Sequence, residues 1–472
     1  MYDVKSMKAE EFINHDEIMD TLKWAEENKS NQALIKSVLL KATEMKGLDH
    51  REAALLLVAD ENLDDVFGLA RRIKEKFYGN RIVLFAPLYL SNYCINSCSY
   101  CPYHVQNKNI DRKKLTQDDI RNEVTALQDM GHKRLALELG EDPVNNPIEY
   151  MLESIETVYS VKHWNGAIRR VNVNIAATSA DDYKKLKDAG IGTYILFQET
   201  YKRDSYEKLH PAGPKSNYSR QTEAMDSAME GGLDDVGIGV LFGLEDYRYE
   251  YVALLMHAEH LEAAHGVGPH TVSFPRIRAA DDIDPGKFPH AVCDDVFEKL
   301  VACVRISAPY TGIIVSTRES RECRERALSV GVSQISGGSR TSVGGYLLPS
   351  KLAQTENTKQ FDITDNRPLE EVVAWLMECG HIPSFCTACY REGRTGDRFM
   401  ELCKSGEIHN CCHPNALMTL EEYLQDYAGE DTKEIGEKLI KAELLNIPNK
   451  KVRDLITEHI KEIKNGSRDF RV

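Results

Sequence analysis

Three cysteines crowd into eight residues, Cys94-Ile-Asn-Ser-Cys98-Ser-Tyr-Cys101. Three thiols this close cannot all be strand or helix core, whereas a loop can wrap them around one metal centre. Four cysteines close a [4Fe–4S] cluster, so three leave one iron open to a substrate. The competing reading is zinc with His104 as fourth ligand, but zinc sites favour two ligand pairs separated by a longer gap. A second set lies far downstream. Cys386-Thr-Ala-Cys389 is followed by Cys412 after 22 residues, with Cys403 and Cys411 nearby. A CxxC can be a zinc knuckle or a redox pair. No thioredoxin-like strand pattern surrounds this one, and spacing alone leaves zinc open. The scattered cysteines, such as Cys293, Cys303, Cys323 and Cys379, read mostly as small buried apolar residues.

The elements around these cysteines change character along the chain. Residues 1–80 read as a helical extension: Ile18, Leu22 and Ala25 fall at helical spacing, as do Leu34, Ile35, Val38, Leu39 and Ala42, and Asp49 is placed to cap a helix over 51–59. From residue 81, short β-branched runs alternate with amphipathic stretches. The runs are 82–88, 134–139, 171–175, 193–197, 236–241, 271–274, 313–316 and 333–335. Eight strands with helical crossovers predict an α/β fold, a (β/α)8 TIM-type barrel over 81–346. The first cysteine set then sits after the first strand, on the face where barrel active sites lie. Residues 347–472 read as a separate, mainly helical unit, with a polar connection over 351–366 and helices over 368–379, 419–428 and 433–445.

The chain has 472 residues and a formal net charge of -15. Such a surface repels nucleic-acid phosphates and anionic lipid, so neither is an expected partner. No apolar run approaches the roughly 20 residues of a membrane helix, and no basic segment leads into an apolar one near the start. A cytoplasmic location is expected, where clustered cysteines bind metal or do chemistry more often than they pair.

The CxxxCxxC spacing, with Tyr100 just before the last cysteine, resembles the radical S-adenosylmethionine superfamily. The resemblance implies that Cys94, Cys98 and Cys101 hold a [4Fe–4S] cluster whose open iron chelates the methionine end of S-adenosylmethionine. Leu139-Gly140-Glu141 is similar to the superfamily's Gly-Gly-Glu element, with Leu139 in place of the first glycine; Gly140 and Glu141 would receive the methionine amine. Glu199 resembles the ribose ligand of biotin-synthase-like members, and Arg220 the carboxylate ligand. Gly237, Gly239 and Gly243 would let backbone approach the adenine, although on their own a tight strand end explains them equally well.

With the C-terminal triad added, the chain resembles the HydG family, the tyrosine lyases that mature [FeFe]-hydrogenase. Gln198-Glu-Thr-Tyr201 and Ser273-Phe-Pro-Arg276 also resemble the thiazole-pathway tyrosine lyase (2-iminoacetate synthase), which lacks the triad. The family resemblance implies an auxiliary [4Fe–4S] cluster on Cys386, Cys389 and Cys412, carrying a further iron with a free cysteine and a protein histidine. His265, in a glycine-rich loop, is the candidate, with His270 the runner-up. It also implies cleavage of L-tyrosine to p-cresol and dehydroglycine, then carbon monoxide and cyanide as an iron-bound unit. A low-potential donor such as ferredoxin or flavodoxin and a hydrogenase-maturation scaffold protein are implied as partners. The substrate carboxylate needs a cation inside the barrel; Arg278 and Arg318 could supply it, or could pair with a neighbour such as Glu319. Two iron sites would also need a passage down the barrel. The competing classes are a radical enzyme for another small molecule, a non-catalytic iron–sulfur scaffold, and a C-terminal structural zinc.

Overall fold

A computed structural model describes residues 1–349, 352, 356–405 and 407–472. Eight parallel strands form the closed barrel expected from the alternation: β1 (Arg81–Ser91), β2 (Arg134–Leu139), β3 (Arg170–Asn174), β4 (Tyr194–Ile195), β5 (Val236–Gly239), β6 (Thr271–Ser273), β7 (Gly312–Val315) and β8 (Gln334–Ser336). β8 closes onto β1, with Val83 opposite Gln334 and Phe85 opposite Ser336. Each strand falls within two residues of its predicted run at either end, except β1, which runs on to Ser91.

The N-terminal extension packs on the outside of the barrel, its helices His15–Asn28 and His50–Val58 against Tyr247–His265. Asp49 caps His50–Val58 through the Glu52 N–H, and Glu52 returns the bond to the Asp49 N–H. Such a reciprocal cap satisfies two otherwise orphaned donors.

A ninth strand, β9 (Ile382–Ser384), was not expected. It pairs in parallel with the start of β1, Arg81 opposite Ile382 and Val83 opposite Ser384. Val83 therefore has β8 on one edge and β9 on the other, and β2 takes over that second edge from Ala86 onward. The barrel's staggered register leaves the first residues of β1 unpaired by β2, and the C-terminal unit fills that gap.

Beyond β9 the unit is helical: Gly396–Ser405, Ile408–Asp426, Glu430–Leu445 and Lys450–Lys464. Ile408–Asp426 begins 11 residues earlier than the helix expected over 419–428, so Cys411 and Cys412 lie within it. The helix expected over 368–379 runs Leu369–Glu378. The polar connection expected over 351–366 lies outside the described residues at 351 and 353–355. Among the described residues no helix is long and apolar enough to cross a membrane.

Candidate active site and second cysteine centre

The cysteine loop leaves β1 through a register shift between Tyr89 and Ser91. A bulge of this kind re-aims the chain at a strand end. Arg112 holds the loop by its carbonyls, at 2.6 Å from Asn92 O, 2.9 Å from Tyr103 O and 2.8 Å from His104 O. Cys94, Cys98 and Cys101 line a cleft of about 1040 Å³ at the C-terminal mouth of the barrel, together with Tyr100, Gly140, Glu141, Glu199, Arg278 and Arg318. His104 turns away to Gln106 and Asp282, the latter at 3.2 Å. Burial pushes the Cys98 thiol up to about 12 and raises Cys94 and Cys101 too, so thiolates here need a bound cation to stabilise them.

The residues expected to hold the cofactor converge on this cleft. Glu141 accepts from Asn96 Nδ2 at 2.7 Å and from Arg220 Nη2 at 2.8 Å. Arg220 also donates to Ala177 O, which leaves its buried Nη1 without a protein partner among the described residues. Gly140 is required sterically: a Cβ there would stand 2.4 Å from Tyr93 O. At Gly239 a Cβ would meet the Phe197 ring at 2.7 Å and Ser273 O at 2.9 Å, so this glycine serves packing inside the barrel. Tyr100 is buried and its hydroxyl bonds His210 Nε2 at 2.8 Å. Glu199, at φ +69°, pairs with Lys215 Nζ at 2.8 Å. The sequence reading passed over Lys215, Asn96 and Gln221, whose buried Oε1 lacks a partner among the described residues. It also passed over Glu138, which alternation on β2 places on the same face as Arg134 and Ala136.

The two arginines separate. Arg278 donates to Glu319, which also accepts from Arg276 Nε at 3.0 Å. Arg318 has no hydrogen bond from its guanidinium among the described residues; it lies 3.5 Å from the centre of the Phe361 ring and faces the cleft. The ion pair with Glu319 that could have tied up Arg318 is made by Arg276 and Arg278 instead.

The cleft continues downward. Tyr89, Glu138, Asn174, Arg318 and Phe361 also line an interior cavity of about 670 Å³, walled below by Phe85, Ala136, Ile314 and Ser336. Two residues earlier on the same strands, Val83, Arg134, Gly312 and Gln334 line a third cavity, of about 570 Å³, at the opposite mouth. Cys386, Cys389 and Cys412 open onto that third cavity. The two cysteine sets thus face opposite mouths of one barrel, with cavities stacked between them.

At the lower mouth, the turn after β9 carries Cys386, whose sulfur accepts from Ala388 N–H at 3.4 Å, and Arg134 Nη2 donates to Cys386 O at 2.9 Å. Burial raises the Cys386 thiol, while a hydrogen bond from Cys389 draws Cys412 below the ordinary thiol range. Arg81, Arg134 and Arg170 are buried around this mouth, each with a guanidinium nitrogen that lacks a partner among the described residues. Cys403 is buried in an apolar nest with Cys389, Cys412 and Ile408, while Cys411 is turned to Arg394 Nη1 at 3.3 Å. Among the described residues no three His, Cys, Asp or Glu side chains converge on one ion position. Thiolates on a four-iron cluster bind separate irons and need no such convergence.

The expected loop placement of His265 is corrected. His265 is the last residue of the Tyr247–His265 helix, not part of a loop, and its Nε2 lies 2.7 Å from Asp226 Oδ1, an oxygen it shares with His260. It does not line the lower cavity. His270 does: its Nε2 bonds the Tyr390 hydroxyl at 2.8 Å, and its buried Nδ1 has no hydrogen-bond partner among the described residues. The glycine-rich context marks a helix end at Gly266 (φ +80°).

Comparisons with known proteins agree with this geometry. Residues 88–257 match the Radical SAM superfamily model, and residues 273–382 match the Biotin and Thiamin Synthesis associated domain. The first match implies a [4Fe–4S] cluster and S-adenosylmethionine. The 2-iminoacetate synthase of Escherichia coli (strain K12) is 28% identical over 337 residues, 71% of this chain and 85% of that protein. A solved structure of HydG, described as a maturase of the [FeFe]-hydrogenase, superposes with a TM-score of 0.94 at 53% identity, covering 98% of this chain and 100% of that one. The FeFe-hydrogenase maturase HydG of Carboxydothermus hydrogenoformans gives a TM-score of 0.81 at 36% identity, covering 96% of this chain and 99% of its own. With the barrel in agreement and up to 53% identity over nearly the whole of both chains, the chain belongs to the HydG family of [FeFe]-hydrogenase maturases, enzymes of the radical S-adenosylmethionine superfamily.

Proposed function

We propose that this protein cleaves the Cα–Cβ bond of L-tyrosine to p-cresol and dehydroglycine, and then converts dehydroglycine to carbon monoxide and cyanide as an iron-bound unit for hydrogenase cofactor assembly. The observation that carries this reading is the pair of thiol sets facing opposite mouths of one barrel, joined by stacked cavities. Cys94, Cys98 and Cys101 would hold a [4Fe–4S] cluster, and Cys386, Cys389 and Cys412 a second, with His270 in place of His265 as ligand to a further iron bearing a free cysteine. When bound on these thiols, the upper cluster and S-adenosylmethionine would supply radical chemistry for removing hydrogen.

The chain's own residues do the rest. Glu141 and Arg220 hold the two ends of an α-amino acid head group, and Glu199, steadied by Lys215, offers carboxylate oxygens to hydroxyls. Arg318 presents free donors to the tyrosine carboxylate, as charge-assisted recognition requires. Phe85, Phe197, Phe274 and Phe361 give the interior an apolar wall that excludes water from a reactive carbon centre. The proposed domains are a helical extension at 1–80, the barrel at 81–346 and the C-terminal unit at 347–472, with a low-potential donor and a hydrogenase-maturation scaffold as partners.

Anaerobically reconstituted protein, given S-adenosylmethionine, dithionite and tyrosine, is expected to yield 5′-deoxyadenosine, p-cresol and carbon monoxide. A variant carrying Cys386→Ser and Cys389→Ser should keep p-cresol and lose carbon monoxide. If p-cresol forms without carbon monoxide in the unmodified protein, the reaction stops at the 2-iminoacetate stage. Deoxyadenosine without p-cresol would overturn tyrosine as substrate.

A further inference from the structure

Among the described residues Glu138 is the one carboxylate that lines both the upper cleft and the interior cavity. It stands near the end of β2, opposite Tyr89 on β1 and Asn174 on β3. Its side chain is partly exposed and lines both cavities. Asn174 lies beside it and favours its charged form, and no lysine, arginine or histidine forms an ion pair with it among the described residues. The charged or titratable groups that face it are Arg318 beyond β7, Tyr89 on β1 and Tyr103 beyond the cysteine loop. Burial raises its carboxyl to about 8, against the opposing pull of Arg318 and Asn174.

A free amino acid arrives as a zwitterion, with carboxylate and ammonium on one carbon. Arg318 and, once ionised, Glu138 present the matching opposite charges to one cavity. Glu138 is also two residues from Gly140, at the level where the cofactor site meets the barrel interior. The ammonium is thereby directed at the place where hydrogen is removed, and the ring at the phenylalanine-lined space below.

Resting on the tyrosine reading above, we propose that Glu138 accepts the proton of the substrate's α-ammonium, leaving the neutral amine from which hydrogen is then taken. The step is a proton transfer: the ammonium and the Glu138 carboxylate become amine and carboxylic acid, and no electron moves. A base that ionises near the working pH is suited to it, because it is available as carboxylate without being too weak to take the proton.

The test uses reconstituted holoenzyme, unmodified and as Glu138→Gln and Glu138→Asp, followed for p-cresol and 5′-deoxyadenosine across neutral and alkaline pH. The unmodified enzyme's kcat/KM for tyrosine should rise with pH through the Glu138 ionisation and level off. Glu138→Gln should lower kcat for p-cresol by roughly 100-fold or more, lose the plateau and keep climbing with pH as free amine becomes available. Glu138→Asp should recover a substantial share of the rate. A Glu138→Gln enzyme with unchanged kcat and pH profile overturns the inference, as does one altered in KM alone, which would make Glu138 only a counter-charge to Arg318. Should Glu138→Gln fail to fold, an unshifted pH profile in Glu138→Asp overturns it equally. Deoxyadenosine without p-cresol from the unmodified enzyme would instead remove tyrosine as substrate, and this inference with it.

Discussion

Lys215 Nζ stands 2.8 Å from Glu199 Oε1, with both side chains largely buried beneath the cysteine loop. Burial opposes the lysine's charge, but Glu199 and then Cys98 outweigh it and hold Lys215 well above its ordinary range. Removing one member of such a pair strands the other as a buried charge. Lys215→Met should therefore weaken S-adenosylmethionine binding at least tenfold by titration calorimetry and lower the melting temperature. Adding Glu199→Gln should restore part of the melting temperature but none of the binding. Equal loss of melting temperature in the single and double variants would count against the coupling.

Gly140→Ala tests the tight approach to Tyr93 O. The added methyl has no room unless the cysteine loop moves, so the upper centre should lose iron while the lower keeps it. Iron analysis after reconstitution should show a fall of about four atoms per chain. Full iron content would mean that the loop yields at little cost.

The two arginines should behave differently. Arg318→Ala should raise KM for tyrosine by roughly 10–100-fold, the loss of a charged hydrogen bond of about 1.5–3 kcal/mol. Arg278→Ala should leave KM within a few-fold, because Arg276 still holds Glu319. Steady-state p-cresol kinetics separate them, and a reversed order would reassign the substrate cation.

The histidines offer a matched pair in a background where Cys94, Cys98 and Cys101 are alanine. His270→Ala should change the electron paramagnetic resonance of the remaining centre and reduce its bound iron. His265→Ala should leave both unchanged, since Asp226 is still held by His260. A response to His265 and none to His270 would assign the extra iron to His265.

Glu250 predicts a pH dependence of stability. It is buried, with its carboxylate oxygens on Thr200 Oγ1 and Tyr201 N, and burial raises it to about 8. The unfolded chain releases this proton near the ordinary glutamate range and the folded chain holds it, so folding binds a proton between the two. This contribution to stability is present at low pH and is lost as pH rises through that window to about 8. Glu250→Gln should flatten the pH dependence of the melting temperature there; an unchanged slope would place the titration elsewhere.

The barrel and both thiol sets were legible because they are written locally. Alternation marked the strands, and short cysteine spacings marked the loops. Arg278, Arg318 and His265 were harder, because a side chain's partner is set by residues distant in sequence. Nothing near Arg318 tells that Glu319 is already taken by Arg276, and nothing near His265 tells that Asp226 is waiting for it. β9 was missed for a related reason: Ile-Pro-Ser is too short to show alternation, and its partner lies some 300 residues away on β1. Glu138 was within reach, since an acidic residue in register with barrel-facing positions of a buried strand asks for an explanation.

That ninth strand has a mechanical consequence. β1 launches the first cysteine loop from its far end and anchors β9, hence the second set, at its start. Its 11 residues act as a strut of roughly 33 Å, and hydrogen bonds fix both ends to it. Loop motion cannot bring the two sets of thiols together, so on the proposed function what passes between them would be a small diffusing molecule. They also share a single cooperative unit: opening β1 would release both sets of thiols in one event. Progressive denaturation should accordingly discharge the iron of the two centres together.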